Sequence, residues 1–526
     1  MTKEVTEQVT NNVDLQIDSF GKRYAFKLLT NISGIIIGLI SFLIVPRALG
    51  PKYFGDYSFL TNVYTQAINF LDMRASTCLY IKLSQNKEDR NIIPFYSLFV
   101  ILLIIILLSS TWIITSSKLI LNNLMPDQEI LYVYMAVVLI IIMFIQEQLA
   151  KIMDSYGLTV FCEKKRLYMR IANLILIVVF YYFITLNIKI YFLINMVSWI
   201  LFIIIILYYL KKIRVIFSPV KDPIVIKEYA KVFSHYCAPL VVYLIIGFFS
   251  EYFDRWVLQK YGGSIQQGFY AFAFNISNIS MIPVSSIFIL FTRELSVSFG
   301  KNDIRSLAKL FDAYVPSFYL FVTYLSCFFF FQADNIISVI GGESYKDALP
   351  ALKILSIYPL VSTYAMLGGS VIYATERTVI FRNLSFIQAP LGALISIILI
   401  SPIAGMNLGA AGLGIKNLSL EFIAVVIILF INARYLNLSF KKYLFHMIYI
   451  PGIIVFIAWI SSRIVQFLGF NNIGIIISML MFGVIYSVIL VSIVYYYPSL
   501  IFKDRHDMFN VVKLIKKNIG RNEESG

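Results

Sequence analysis

The stretch RALGPKYFGDYSF, from Arg47 to Phe59, returns later in the chain as KYGGSIQQGFYAF, from Lys260 to Phe272. Gly50, Gly55, Tyr57 and Phe59 meet Gly263, Gly268, Tyr270 and Phe272 at one constant displacement of 213 residues, and the basic Arg47 meets Lys260. Asn62 with Asn275, Glu163 with Glu376 and Lys164 with Arg377 keep that displacement. One glycine and tyrosine match can arise by chance, but a register held for about another hundred residues without a gap marks a duplication.

What flanks each copy is apolar. Of 526 residues, 59% are hydrophobic, 16% aromatic and only 14% charged, and the mean hydropathy is +0.80. Soluble domains carry about 25% charged residues, so lipid must solvate most of this chain. Runs such as Ile92 to Ile114 and Ile171 to Ile184 approach or exceed the roughly 18 apolar residues of a spanning helix. Barrel strands would instead show weak alternation over about 10 residues. The expected fold is therefore an all-α polytopic membrane protein of about 14 transmembrane helices. Six lie near 24–46, 54–80, 92–114, 130–152, 168–187 and 190–210. Six more lie near 236–258, 266–292, 312–333, 348–373, 383–402 and 408–432, and a last pair near 446–463 and 473–497.

An even number of helices separates equivalent positions, so the repeat describes two parallel six-helix lobes around a central cavity, with two added C-terminal helices. The resulting organisation is a tail over 1–22, a first lobe over 23–211, a connector over 212–235, a second lobe over 236–434, a final pair over 435–498 and a basic tail over 499–526. Gly50, Gly55, Gly263 and Gly268 are expected at tight corners that need positive φ or close backbone approach. Tyr57 and Tyr270 are expected at headgroup level.

The net charge of +15 is spread among the spans rather than gathered on one domain, which argues against a nucleic-acid partner. With the N-terminus inside, inner loops and tails hold roughly 32 Lys and Arg, among them Lys164, Lys165, Arg166 and Arg170. Outer loops hold about seven, namely Arg47, Lys52, Lys118, Lys189, Lys260, Lys346 and Arg463. Both termini are thus expected in the cytoplasm. No cleavable leader is read before Gly21, so the first helix should itself be the anchor. Cys78, Cys162, Cys237 and Cys327 lie far apart, without ligand spacing, and read as packing residues. His235, His446 and His506 lie near span boundaries and suggest neither ligand nor relay. No metal and no cofactor is expected.

RALGPKYFGDYS, DRWVLQKYGG from Asp254 to Gly263 followed by Gly268-Phe-Tyr270, and NLGAAGLG from Asn407 to Gly414 together resemble the polysaccharide-biosynthesis branch of the multidrug/oligosaccharidyl-lipid/polysaccharide exporters. In style they are most similar to the Wzx-type O-antigen flippases, over Tyr24 to Arg434. The resemblance implies an alternating-access carrier, driven by a gradient and without an ATP site. It would move an undecaprenyl-pyrophosphate-linked oligosaccharide across a bacterial inner membrane, as a monomer, beside the polymerase and chain-length regulator of its pathway. One departure is Leu71-Asp72-Met73-Arg74, where the family carries a small, glycine-bearing turn.

Ionisable groups inside spans are functional candidates, because each costs at least about 2.5 kcal/mol at the bilayer centre. Lys27, Arg74, Arg255, Lys353 and Lys416, with Arg47 at the corner, are candidates for a pyrophosphate headgroup, since guanidinium forks and ammonium groups suit phosphate. Asp72, Glu147, Glu251 and Asp254 are candidates for ion coupling, and Glu421 is a further acid within a span. Glu251 and Arg255 stand at i,i+4 and can pair. Lys27, Lys353 and Lys416 can also simply snorkel to headgroups. The sequence has no phosphate-loop, zinc-protease or nucleophile-elbow motif. Two alternatives stay open. One is a polymerase or glycosyltransferase of the same pathway, which would want an enlarged outer loop; the other is a drug or cation antiporter of the same fold, which would want carboxylates without bases.

Overall fold

The computed structural model describes residues 20–86, 89, 91–213, 223–403, 405–470 and 473–496. The tail 499–526 with His506 lies outside the described residues, as do 1–19 of the N-terminal tail and 214–222 of the connector. Among the described residues all regular structure is helical, as lipid demands when backbone groups have no water to bond. Among the described residues twelve helices are long and apolar enough to cross a membrane, and the first, Leu29–Asp72, has 44 residues. That is about twice the 20 residues of a single span, long enough for two crossings. A further helix, Pro223–Ile279, runs for 57 residues.

Each of these two long helices turns back at a repeat glycine. Gly50 has φ 69° and ψ 170°, and Gly263 has φ 67° and ψ −175°. That region of backbone space is essentially glycine-only, so the duplication is visible as one shared backbone geometry.

The second span of each copy is broken, where the sequence suggested continuous helices over 54–80 and 266–292. The first break separates Phe20–Asp72 from Ala75–Gln85, with Met73 at φ 48° and Arg74 at φ 66°. The Asp72 carboxylate accepts the Ser76 amide at 3.2 Å and starts the next helix. The second break lies between Ile279 and Ile282.

Two compact units result, 1–268 and 269–526. In the first, Cys78, Leu79, Tyr96, Met153, Cys162 and Phe202 form a core. In the second, Leu349–Ala374 is the most enclosed helix, packed by Ile282–Gly300, Ile304–Phe331 and Gly409–Leu436. The two C-terminal helices, Phe440–Phe467 and Ile475–Tyr496, join this second unit. Tyr319 donates to the Met447 carbonyl at 2.8 Å and Tyr486 to the Tyr324 carbonyl at 3.1 Å. The outward faces carry bare Leu98, Ile289, Phe430 and Val491, a surface suited to acyl chains rather than water. All four cysteines are buried and unpaired.

Candidate functional site

Among the described residues, four places bear on the candidate groups, three of them in the first unit. The first is the corner. An ideal Cβ on Gly55 would lie 1.8 Å from the Ser264 carbonyl oxygen, and one on Gly268 would lie 1.9 Å from the Pro51 carbonyl oxygen. Pro51 and Ser264 are themselves repeat partners, so the crossing is reciprocal. Around it, buried Asp56 accepts Gln128 Nε2 at 2.8 Å and the Ser264 hydroxyl. Gln259 Nε2 donates to Ser264 Oγ and to the Pro126 carbonyl, each at 3.0 Å. Trp256 and Tyr252 donate to the Asn123 and Leu124 carbonyls at 2.6 and 2.8 Å. The helix end that carries Arg255 is thereby latched to the linker Lys118–Leu124 and the turn after it. Arg255 donates to Gln267 Oε1 at 3.2 Å. Arg47 and Glu251 are exposed, and Asp254 is half-buried.

Tyr57 and Tyr270 both turn inward, onto other helices. Tyr57 packs against Tyr191, with ring centroids 4.8 Å apart. In the second unit, buried Tyr270 accepts Asn417 Nδ2 at 2.7 Å. Each therefore braces the last helix of its copy, a choice that depends on neighbours no local pattern names.

The second place lies at the opposite end of the same spans. Asp72 is buried and accepts Ser76 Oγ at 2.7 Å and the Tyr96 hydroxyl at 3.0 Å. Lys151 donates to Ser76 Oγ at 3.0 Å and pairs with Glu147 at 3.0 Å. Two acids considered separately in the sequence thus belong to one chain, Tyr96–Asp72–Ser76–Lys151–Glu147. Both are already satisfied, one by hydroxyls and one by an ammonium. Arg74 sits exposed at the break beside them. Lys27 is also paired, with Asp154 at 2.8 Å, tying the first helix to Ile130–Ser155.

The third place involves a residue that the charge count put among the inner-loop bases. Arg170 lies eleven residues into Thr159–Phe183, about 16 Å along the axis. Its guanidinium rests on Gly34 of the first span, where a Cβ would stand 2.0 Å from Nη1, and donates to the Thr30 carbonyl at 3.4 Å. Gly34, Gly38, Asn173, Asn195, Ser198 and Trp199 line a cavity of about 240 Å³ beside it. Asn173 Nδ2 donates to Ser198 Oγ at 3.1 Å and Asn195 Oδ1 at 3.3 Å.

The fourth place is in the second unit. Glu421, twelve residues into Gly409–Leu436, opens on a cavity of about 440 Å³ lined by Phe274, Tyr358, Tyr373 and Phe381, with Asn278 and Ser362. Lys416 is buried one turn earlier and donates to Asn417 Oδ1 at 3.4 Å. Lys353 is paired with Asp334 at 3.3 Å.

This geometry can be set beside known proteins. The family described as polysaccharide biosynthesis protein matches residues 20–293. The chain belongs to that family. The match takes in both corner glycines, the Asp72 chain and the Arg170 cavity, and ends before Lys353, Lys416 and Glu421. No curated protein sequence matches the chain. Among solved structures it is similar to the lipid II flippase MurJ in an inward closed conformation, at 16% identity and a TM-score of 0.64, covering 91% of this chain and 100% of that one. It is also similar to an inward-facing multidrug resistance MATE family transporter of the MOP superfamily, at 14% identity and a TM-score of 0.58, covering 77% and 95%. This member of the polysaccharide biosynthesis family is thus a polytopic membrane protein with a MurJ- and MATE-like fold.

Arg170, Asn173 and Lys151 are the residues that sequence reasoning missed. The available signal was spacing: Lys151 stands at i+4 from Glu147, and Arg170 and Asn173 stand at i,i+3 on one face.

Proposed function

We propose that the protein is a flippase that carries an undecaprenyl-pyrophosphate-linked oligosaccharide, an O-antigen or related surface-polysaccharide unit, from the cytoplasmic to the outer leaflet of the inner membrane by alternating access. The observation that carries this reading is Arg170, a guanidinium within an apolar span whose one hydrogen bond among the described residues is 3.4 Å long. No carboxylate pairs with it there. A permanent charge at that depth is costly unless a ligand answers it, and an anionic headgroup does. Lys416 is a buried cation in the other unit. The lipid tail can stay in the bilayer while the headgroup crosses. Both termini face the cytoplasm in this reading, following the basic inner loops, and the polymerase and chain-length regulator of the pathway act next.

Coupling to an ion gradient falls to Glu421 rather than to Asp72 or Glu147, since it faces a cavity and has no ion pair among the described residues. The same aromatic-walled carboxylate favours the second reading, a cation antiporter. Deletion of the gene separates these readings and the enzyme alternative. A flippase leaves complete lipid-linked units on the cytoplasmic leaflet, an enzyme leaves incomplete or unpolymerised ones, and an antiporter leaves the glycan unchanged.

A further inference from the structure

We infer that the cavity beside Arg170 is a subsite for one sugar ring bearing a negative charge, and that it recognises an acidic residue of the oligosaccharide. This rests on the flippase reading and adds a specific site to it.

Three helices of the first unit build the cavity: Phe20–Asp72, Thr159–Phe183 and Ile188–Lys212. Arg170 brings five N–H donors, and its one hydrogen bond among the described residues is the long one to Thr30. The acid nearest in sequence, Glu163, is taken by Arg166 at 2.7 Å. The guanidinium is therefore available for a carboxylate or phosphate, which it can grip with two parallel bonds.

The rest of the wall suits a sugar. Asn195 is anchored to the Tyr191 carbonyl at 2.8 Å and Ser198 to the Ile194 carbonyl at 2.8 Å. Asn173 donates to both of them, so the three polar groups are held in place before any ligand arrives. Such preorganisation lowers the ordering cost of binding. Trp199 adds an apolar surface of the kind that C–H faces of sugar rings cover. Gly34 is a condition of the site, because any side chain there would strike Nη1. The cavity lies toward the end of the first span opposite Gly50, which in the proposed orientation is where cargo loads.

The test uses the full-length protein in zwitterionic nanodiscs, with Kd values from ligand-observed NMR for methyl glucuronide, methyl glucoside and glycerol 3-phosphate. A charge-assisted contact at Arg170 predicts that the glucuronide binds about ten- to a hundredfold more tightly than the glucoside. Arg170→Gln brings that ratio near one. Gly34→Ala, which displaces the guanidinium but keeps the charge on the chain, does the same, while Trp199→Phe weakens both sugars together. The unfolding temperature of each variant is read alongside, and if Arg170→Gln does not fold, Gly34→Ala decides. Equal binding of the two sugars by wild type, or preference that survives both substitutions, overturns the subsite. Tighter binding of glycerol 3-phosphate than of the glucuronide also overturns it, in favour of a lipid headgroup. A wild type that flips lipid-linked oligosaccharide yet ignores the glucuronide sinks the subsite alone. One that binds the glucuronide and flips nothing sinks the flippase reading alone.

Discussion

Gly55 and Gly268, 213 residues apart, each press against the backbone that begins the other's helix: Gly55 on the Ser264 carbonyl and Gly268 on the Pro51 carbonyl. Contacts this close leave no room for a methyl group, and backbone cannot rotate away as a side chain can. Gly55→Ala and Gly268→Ala are each expected to cost about 1–3 kcal/mol, the usual penalty of overpacking. Because both open the same crossing, the double variant should cost less than the sum. Thermal unfolding of the purified variants checks this, and a neutral single variant would contradict the reciprocal contact.

Asp56 holds the polar side of that crossing. Its removal leaves the Gln128 amide and Ser264 hydroxyl buried without their acceptor. Asp56→Ala should lose about 1–3 kcal/mol for each donor left unmatched, and Asp56→Asn, which keeps one acceptor, should lose less. Equal unfolding temperatures for the two variants would show that the latch does not depend on this carboxylate.

The corner was legible in the sequence and the cavities were not, for a physical reason. Gly50 and Gly263 advertise themselves because only glycine adopts their backbone, so the requirement is written in a single residue. Arg170 carries no such mark. It follows Lys164, Lys165 and Arg166 at the edge of the expected span, where the charge count groups it with those inner-loop bases, and only its contact with Gly34 and Thr30 of the first helix sets it apart from them. Lys27, Lys353 and Glu147 looked like open charges because their partners Asp154, Asp334 and Lys151 become neighbours through folding, or were counted outside the span. The breaks at Met73 and Ser280 do not read as breaks because the apolar pattern resumes beyond them, although Asp72 and Arg74 flank the first and Asn278 and Pro283 the second.

Among the acids, occupancy by existing partners separates structural from functional roles. Asp72 is held by Ser76 and Tyr96, and Glu147 by Lys151. Asp72→Asn and Glu147→Gln should therefore leave gradient-dependent transport in place, with Asp72→Asn lowering the unfolding temperature. Glu421→Gln should abolish the gradient dependence while the protein still folds. Proteoliposome flux with and without proton and sodium gradients reads all three. Coupling that survives Glu421→Gln but fails in Asp72→Asn would reverse the assignment.

Arg170 and Lys416 make a complementary pair of tests for the cargo. Arg170→Gln should reduce translocation of lipid-linked oligosaccharide without changing membrane insertion. Lys416→Met should also reduce it, since a buried cation is removed. Surface glycan at wild-type levels in both strains would show that neither charge meets the headgroup.

The central claim is that this protein moves a lipid-linked oligosaccharide between leaflets. The direct measurement reconstitutes the full chain in liposomes holding an undecaprenyl-pyrophosphate-linked repeat unit and follows, under an imposed ion gradient, how fast the glycan becomes accessible to an impermeant lectin. The predicted result is exposure faster than in protein-free liposomes and slowed by Arg170→Gln, with the repeat unit chemically unchanged. Exposure no faster than in protein-free liposomes, or a product that has been polymerised or cleaved, would contradict it.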